Sequence, residues 1–290
     1  YIGSAFAGGV VFNAANLLLS AAISIAGMSV AFPVGIGLAL ILGVVVNHLG
    51  DPHGDPVLLC SGVALIAIAI LMNAFAYKLK ESGGRKVPMK GIVLAVVCGV
   101  LMAFFYRFVA ASMDMNFTAP AAGKLTPYSA FFIFALGIFL STFVFNTIAM
   151  KRPVSGKPLP LSAYFRGGVP IHFVGLLGGC IWGIGNVLNL VAAGKAGPAI
   201  SYGLGQGATL VAALWGILIW KEFKGAPRIS HALNIGMFVV FLAGLALLIK
   251  AGACPTVPPA GISPNPRRAG FRSAAGRPVP PAAAGTSYRP

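Results

Sequence analysis

The sequence predicts an all-α integral membrane protein, and three observations carry that prediction. Hydrophobic residues make up 58% of the 290-residue chain and charged residues only 9%, against about 25% in soluble domains. The apolar residues fall in continuous blocks of about 20, the length a helix needs to cross a hydrocarbon core. No run of short alternating segments, the mark of a membrane barrel, interrupts them. Backbone groups in lipid must be satisfied within the segment, which leaves the helix as the spanning element.

Eight transmembrane helices are predicted in chain order: 7–26, 28–49, 57–78, 90–111, 126–150, 170–194, 197–221 and 231–250. At about 1.5 Å per residue each reaches across the bilayer core. Only Gly27 separates the first two, and only the Lys195–Gly197 link separates the sixth from the seventh. Each of these pairs is read as a tight helical hairpin. Residues 251–290 differ in kind. They are rich in Pro, Ala, Gly and Arg without a helical period, cannot bury enough surface to fold, and are predicted to be a disordered tail.

Lys and Arg total 21 and Asp and Glu total 5, a formal charge of +16. These charges sit between the apolar blocks and in the tail, so nucleic acid is excluded as a partner. The lipid bilayer, with its anionic surface, is the partner implied. Cations crowd three loops: Lys78, Lys80, Arg85, Lys86 and Lys90; then Lys151, Arg152, Lys157 and Arg166; then Lys221, Lys224 and Arg228. By parity all three loops face one side, expected to be the cytoplasm. Residue 1 and the tail are then expected outside. Cys60, Cys98, Cys180 and Cys254 have neither metal-ligand nor redox spacing, so no metal or other cofactor is expected.

An internal repeat sharpens the reading. Shifting the chain by 170 residues aligns 8–49 with 178–219 without a gap, and about ten of 42 positions are identical. Gly8 and Gly9 meet Gly178 and Gly179, Phe12 meets Trp182, Asn16 meets Asn186, and Gly27 meets Gly197. The identities are mostly Gly and Asn, which shared apolar composition alone would not favour. The two copies open spans one and six. Five spans apart, they are oppositely oriented, and inverted repeats mark alternating-access transporters with a site near the midplane. A five-helix unit is complete over 90–250. Over 1–78 it holds three helices, its first two missing, so a native protein of ten spans is expected. The absence of an initiator Met and the apolar start fit a fragment.

The segments Gly178–Asn186, Ala196–Gly207, Trp215-Gly216 and Trp220–Phe223 resemble the C-terminal half of the drug/metabolite transporter superfamily. Within it the pattern is similar to the glucose/ribose porter, rhamnose symporter and ureide permease branches. Lys90-Gly91-Ile92, Leu101-Met102 and Phe104-Phe105-Tyr106 resemble the sixth helix of ureide permeases. The likeness spans about 7–250. It departs in lacking the first two helices and the Gly-Lys-Ser/Thr motif of plant ureide permeases in the central loop. The resemblance implies a secondary transporter, not an enzyme, moving a small polar metabolite, a sugar first and a ureide next.

Asn16 and Asn186 are the first candidates to bind that solute, since a buried amide offers two donors and two acceptor lone pairs. The alternative role for both is packing between helices. Gln206 stands between Gly205 and Gly207, which let a ligand or a backbone come close. Trp182 and Tyr202 could stack on a ring, although membrane aromatics commonly serve as core or interface. Arg107 is the remaining substrate candidate, with snorkelling to the interface as its other role. No carboxylate falls at membrane depth, so a coupling group on the segments read here is not expected. A multidrug exporter of the same superfamily is the nearest alternative. A membrane-embedded enzyme or a scaffold is the alternative of another class, and an enzyme would need a His, Asp, Glu or Cys cluster at depth.

Overall fold

The computed structural model describes residues 1–80, 88–114, 116–221 and 223–253, all within the unit Tyr1–Thr256. Glu81, Arg85, Lys86, Glu222, Cys254 and the predicted tail beyond Ala253 lie outside the described residues. The elements run α1 (Ile2–Ala26), α2 (Met28–Gly50), α3 (Pro56–Lys80), α4 (Met89–Ser112), α5 (Pro127–Lys151), the short α6 (Ser162–Phe165), α7 (Val169–Ala196), α8 (Pro198–Gly205), α9 (Gly207–Leu218) and α10 (Arg228–Ala253). Among the described residues there is no strand, only an isolated bridge between Met113 and Leu125 in the α4–α5 loop.

Six of these helices, α1, α3, α4, α5, α7 and α10, are long and apolar enough to cross a membrane. α2 contributes the shorter apolar helix Val34–Gly50. The seventh predicted span, 197–221, is not one helix. It breaks at Gln206 into α8 and α9 and ends at Leu218. The reason is local: Gly203, Gly205 and Gly207 surround the break, and each glycine lowers helix propensity by about 1 kcal/mol. Gln206 N–H turns back to Gly203 O at 3.1 Å, an i→i−3 bond that tightens the end of α8.

Helix ends follow the local sequence. Thr126 caps α5: its hydroxyl accepts the Ser129 N–H, the Ser129 hydroxyl accepts the Thr126 N–H in return, and Pro127 fills the first turn. Asp55 Oδ1 accepts the N–H groups of Val57 and Leu58 at 2.8 and 3.0 Å, holding the start of α3. Two junctions are single glycines. Gly27 joins α1 to α2 with φ 80° and ψ 162°, and Gly197 joins α7 to α8 with φ 83° and ψ 157°. Side-chain-bearing residues avoid that region. Each junction N–H bonds four residues back at 2.9 Å, Gly27 to Ile23 O and Gly197 to Ala193 O.

Small residues set how closely the helices approach. α1 packs on α4 and α5, α2 on α4, and α3 on α10. A Cβ on Gly62 of α3 would stand 2.9 Å from Gly244 O of α10, and one on Gly244 would stand 2.9 Å from Gly62 O. Close backbone approach of this kind is how membrane helices gain packing energy without a hydrophobic drive. Polar ties reinforce it. Asn13 of α1 donates to Ser141 Oγ at 2.8 Å and to Thr142 Oγ1 at 3.2 Å, both on α5.

Candidate functional site: a central cavity between alpha1 and alpha7

Where α1, α2, α4, α7 and the α8–α9 segment converge, they line an open cavity of about 540 Å³, within the roughly 300–1,000 Å³ typical of small-molecule sites. From α1 it takes Phe12, Asn16 and Leu19; from α2, Ile36 and Ala39; from α4, Met102, Phe105 and Tyr106. From α7 it takes Ile181, Trp182, Gly185, Asn186 and Asn189; from α8, Tyr202 and Gly205; from the break, Gln206; and from α9, Ala208. Phe12, Asn16 and Leu19 are spaced i, i+4, i+7, as are Trp182, Asn186 and Asn189. That spacing puts each trio on one helix face.

One wall is aromatic. Phe12 stacks on Trp182 with ring centroids 5.0 Å apart and an interplanar angle of 26°. Phe105 meets Phe12 edge-on at 4.8 Å, and Tyr106 packs against Tyr202 at 5.3 Å. The opposing polar groups divide in two. Asn189 and Tyr202 are spent on the protein itself. Asn189 Nδ2 donates to Ser201 O at 2.8 Å, while Ser201 Oγ donates to Asn189 O at 2.6 Å, clasping α7 to α8. Tyr202 OH donates to Ala39 O at 3.1 Å and lies 3.5 Å from Met102 O. Among the described residues, the side-chain amides of Asn16, Asn186 and Gln206 make no hydrogen bond.

Among the described residues, no Asp, Glu, Lys, Arg or His lines this cavity, and no group of three or more His, Cys, Asp or Glu could hold a metal ion. An unpaired charged solute would be costly in such a lining. Amides and a phenol with apolar walls instead suit a neutral molecule that carries donors and acceptors.

The family model for ureide permeases matches residues 79–251. The chain belongs to the ureide permease family. It is 24% identical to Ureide permease 1 of Arabidopsis thaliana over 302 residues, covering 85% of this chain and 77% of that protein. It is 22% identical over 257 residues to a candidate sugar uptake protein of Listeria innocua, covering 87% and 80%. Over 134 residues it is 30% identical to an L-rhamnose-proton symporter of Yersinia pestis, covering 42% and 39%. The permease is a multi-pass membrane protein and a secondary transporter of small polar metabolites, not an enzyme.

Of the six residues singled out in the permease sequence, five line the one cavity: Asn16, Asn186, Trp182, Gln206 and Tyr202. Arg107 does not. Its guanidinium donates from Nη2 to Gly50 O at 3.3 Å, at the C-terminal end of α2, where a cation complements the helix dipole. One residue earlier, Tyr106 faces the cavity; a step of about 100° along a helix separates the two directions. Tyr106 was not among the candidates, although it stands in the Phe104-Phe105-Tyr106 run noted for its resemblance. Asn189 was also passed over, although the i+3 spacing from Asn186 was there to be used.

Proposed function

We propose that this permease carries an uncharged polar metabolite, a sugar first and a ureide second, through the cavity between α1 and α7 by alternating access of two inverted repeats. One observation carries the reading. Four pairs of residues 170 positions apart line the same cavity: Phe12 and Trp182, Asn16 and Asn186, Leu19 and Asn189, Ile36 and Gln206. Residues related by an inverted repeat gather around a common axis, where such carriers bind their solute. The matched dihedrals of Gly27 and Gly197 support the same register. The lining fits sugars and ureides alike, and the names of the relatives point to both.

We read the architecture as eight spans of a ten-helix carrier, with 1–78 as a three-helix part of the first repeat and 90–250 as the whole second repeat. Glycine packing supports this. A Cβ on Gly8 would stand 2.9 Å from Val109 Cγ2 of α4, and one on Gly9 would run into the Phe134 carbonyl of α5. At their counterparts Gly178 and Gly179 on α7, nothing lies within 4 Å of such a Cβ. Two further helices standing to α7 as α4 and α5 stand to α1 would occupy that face. The loops at 79–89, 151–166 and 222–230 face the cytoplasm in this reading, on their cation content.

The test is uptake into proteoliposomes of radiolabelled L-rhamnose, D-glucose and allantoin, a ureide. Saturable uptake of at least one, competed by its unlabelled form, is expected. Uptake of none above protein-free vesicles, by protein that remains folded, refutes the reading.

A further inference from the structure

Resting on that reading of the cavity, a residue outside the original candidates stands out by hydrogen-bond accounting. Tyr106 is 2% exposed, lines the cavity, and among the described residues its hydroxyl makes no hydrogen bond of acceptable geometry. Buried polar groups are normally paired, and an orphan calls for an explanation. Its neighbour Tyr202 is the contrast: equally aromatic, equally sunk in the cavity wall, but with its hydroxyl anchored on Ala39 O. Ser201 lies close by on α8, but its Oγ donates to Asn189 O at 2.6 Å and makes no bond of acceptable geometry with Tyr106. The Tyr106 ring is held from two sides, by Tyr202 at 5.3 Å and by Phe105 at 6.1 Å. The hydroxyl is therefore fixed in position while its proton is uncommitted.

We propose that Tyr106 is a specificity-determining residue whose hydroxyl donates a hydrogen bond to an oxygen of the bound solute. The class of solute selected is a neutral molecule presenting a carbonyl or hydroxyl oxygen at the edge that meets α4. Its faces lie against the Phe12–Trp182 wall, and its other polar groups reach the free amides of Asn16, Asn186 and Gln206. A site built around such a donor rejects an analogue lacking the oxygen far more strongly than an apolar pocket could, because the donor is then left buried and unpaired. Removing the donor relaxes that discrimination.

The experiment compares the wild-type chain with Tyr106→Phe and Tyr202→Phe in proteoliposomes. It uses whichever of L-rhamnose, D-glucose and allantoin the wild type takes up, alongside thermal unfolding in detergent. For Tyr106→Phe we expect the apparent KM to rise about tenfold while Tm stays level or rises, since an unpaired hydroxyl is lost and no hydrogen bond with it. For Tyr202→Phe we expect Tm to fall. An unchanged KM in Tyr106→Phe, with wild-type uptake intact, overturns the proposal and leaves the carrier reading standing. A lowered Tm in Tyr106→Phe also overturns it, since the hydroxyl is then a structural tie. Wild-type protein that takes up none of the three solutes overturns the carrier reading instead. In that event the unfolding comparison still decides whether the hydroxyl is bonded within the protein.

Discussion

Phe12 lies against Trp182, its counterpart 170 positions along the chain, with ring centroids 5.0 Å apart and planes inclined by 26°. Two copies of a repeat place equivalent residues in mutual contact only near the axis that relates them. In the proposed carrier the stack thus sits where the two inverted halves meet, at the wall of the cavity that it lines. It is also a contact that any rocking of one half against the other has to rearrange.

Trp182→Ala removes one face of that stack. Trp182 is 41% exposed, so little core is lost. An aromatic pair is worth about 0.5–1.5 kcal/mol beyond its buried area, which corresponds to up to about tenfold in binding. The expected result is a several-fold rise in apparent KM for the transported solute with Tm nearly unchanged, and partial recovery in Trp182→Phe. Uptake kinetics normalised to folded protein measure it.

Asn13 and Asn16 lie on α1 three residues apart and should behave oppositely. Asn13 holds α5 through Ser141 and Thr142, and hydrogen bonds between membrane helices contribute about 1 kcal/mol. Asn13→Ala is expected to lower Tm and to reduce uptake only in proportion to lost folded protein. Asn16→Ala and Asn186→Ala are expected to keep Tm and lose uptake per folded molecule. Normal uptake in both of the latter would make those amides packing residues.

Gly197 has two reasons to be glycine. Its φ of 83° with ψ of 157° is essentially reserved for glycine, and other residues pay about 1–3 kcal/mol there. A methyl at that position would also stand 2.5 Å from His53 Cβ in the α2–α3 loop. Gly197→Ala should lower Tm clearly, and Gly27→Ala should lower it through the same backbone strain. Calorimetry or a fluorescence melt in detergent reads both.

Asp114 orders the α4–α5 loop. It accepts the Ala121 N–H at 2.8 Å and the Asn116 N–H at 2.9 Å. Those two bonds, the Ala121 one foremost, with the Lys124 cation adding to them, hold its carboxyl below the usual carboxylate range. A depressed pKa in the folded state contributes stability that is fully present above the unfolded value of about 3.9. That contribution is lost as pH falls through the folded pKa. Asp114→Asn should therefore melt below wild type at pH 7, and the gap should close as the pH drops below about 4. A gap that stays constant with pH would assign the effect to something other than the carboxylate.

The helices were readable because a bilayer permits only one spanning element here and the apolar blocks had the matching length. The recurrence behind the proposed repeat was legible for a different reason: Asn16, Asn186, Gly27 and Gly197 are polar or conformationally special, so they stand out against an apolar background. The break at Gln206 was harder, since glycines in membrane helices serve packing as often as interruption, and only the turned-back N–H to Gly203 O distinguishes the two. Arg107 drew attention through its charge, while Tyr106 beside it did not. On a helix, one residue changes the facing direction by about 100°, and nothing local in the sequence says which of two neighbours turns inward. The orphaned hydroxyl of Tyr106 exists only as a three-dimensional fact, defined by acceptors that α2 and α4 offer to Tyr202 and not to it.

A lining in which the described residues include no Asp, Glu, Lys, Arg or His has an electrical meaning. Moving one elementary charge through the full potential of a membrane is worth about 2.3 kcal/mol per 100 mV. A neutral solute passing between amides, a phenol and aromatic rings carries none, so voltage does no work on that passage. Concentrating the solute against its gradient would need a charged companion held somewhere other than this lining. An electrode across the membrane would register that companion's current, and in its absence the cycle would run silently at any voltage.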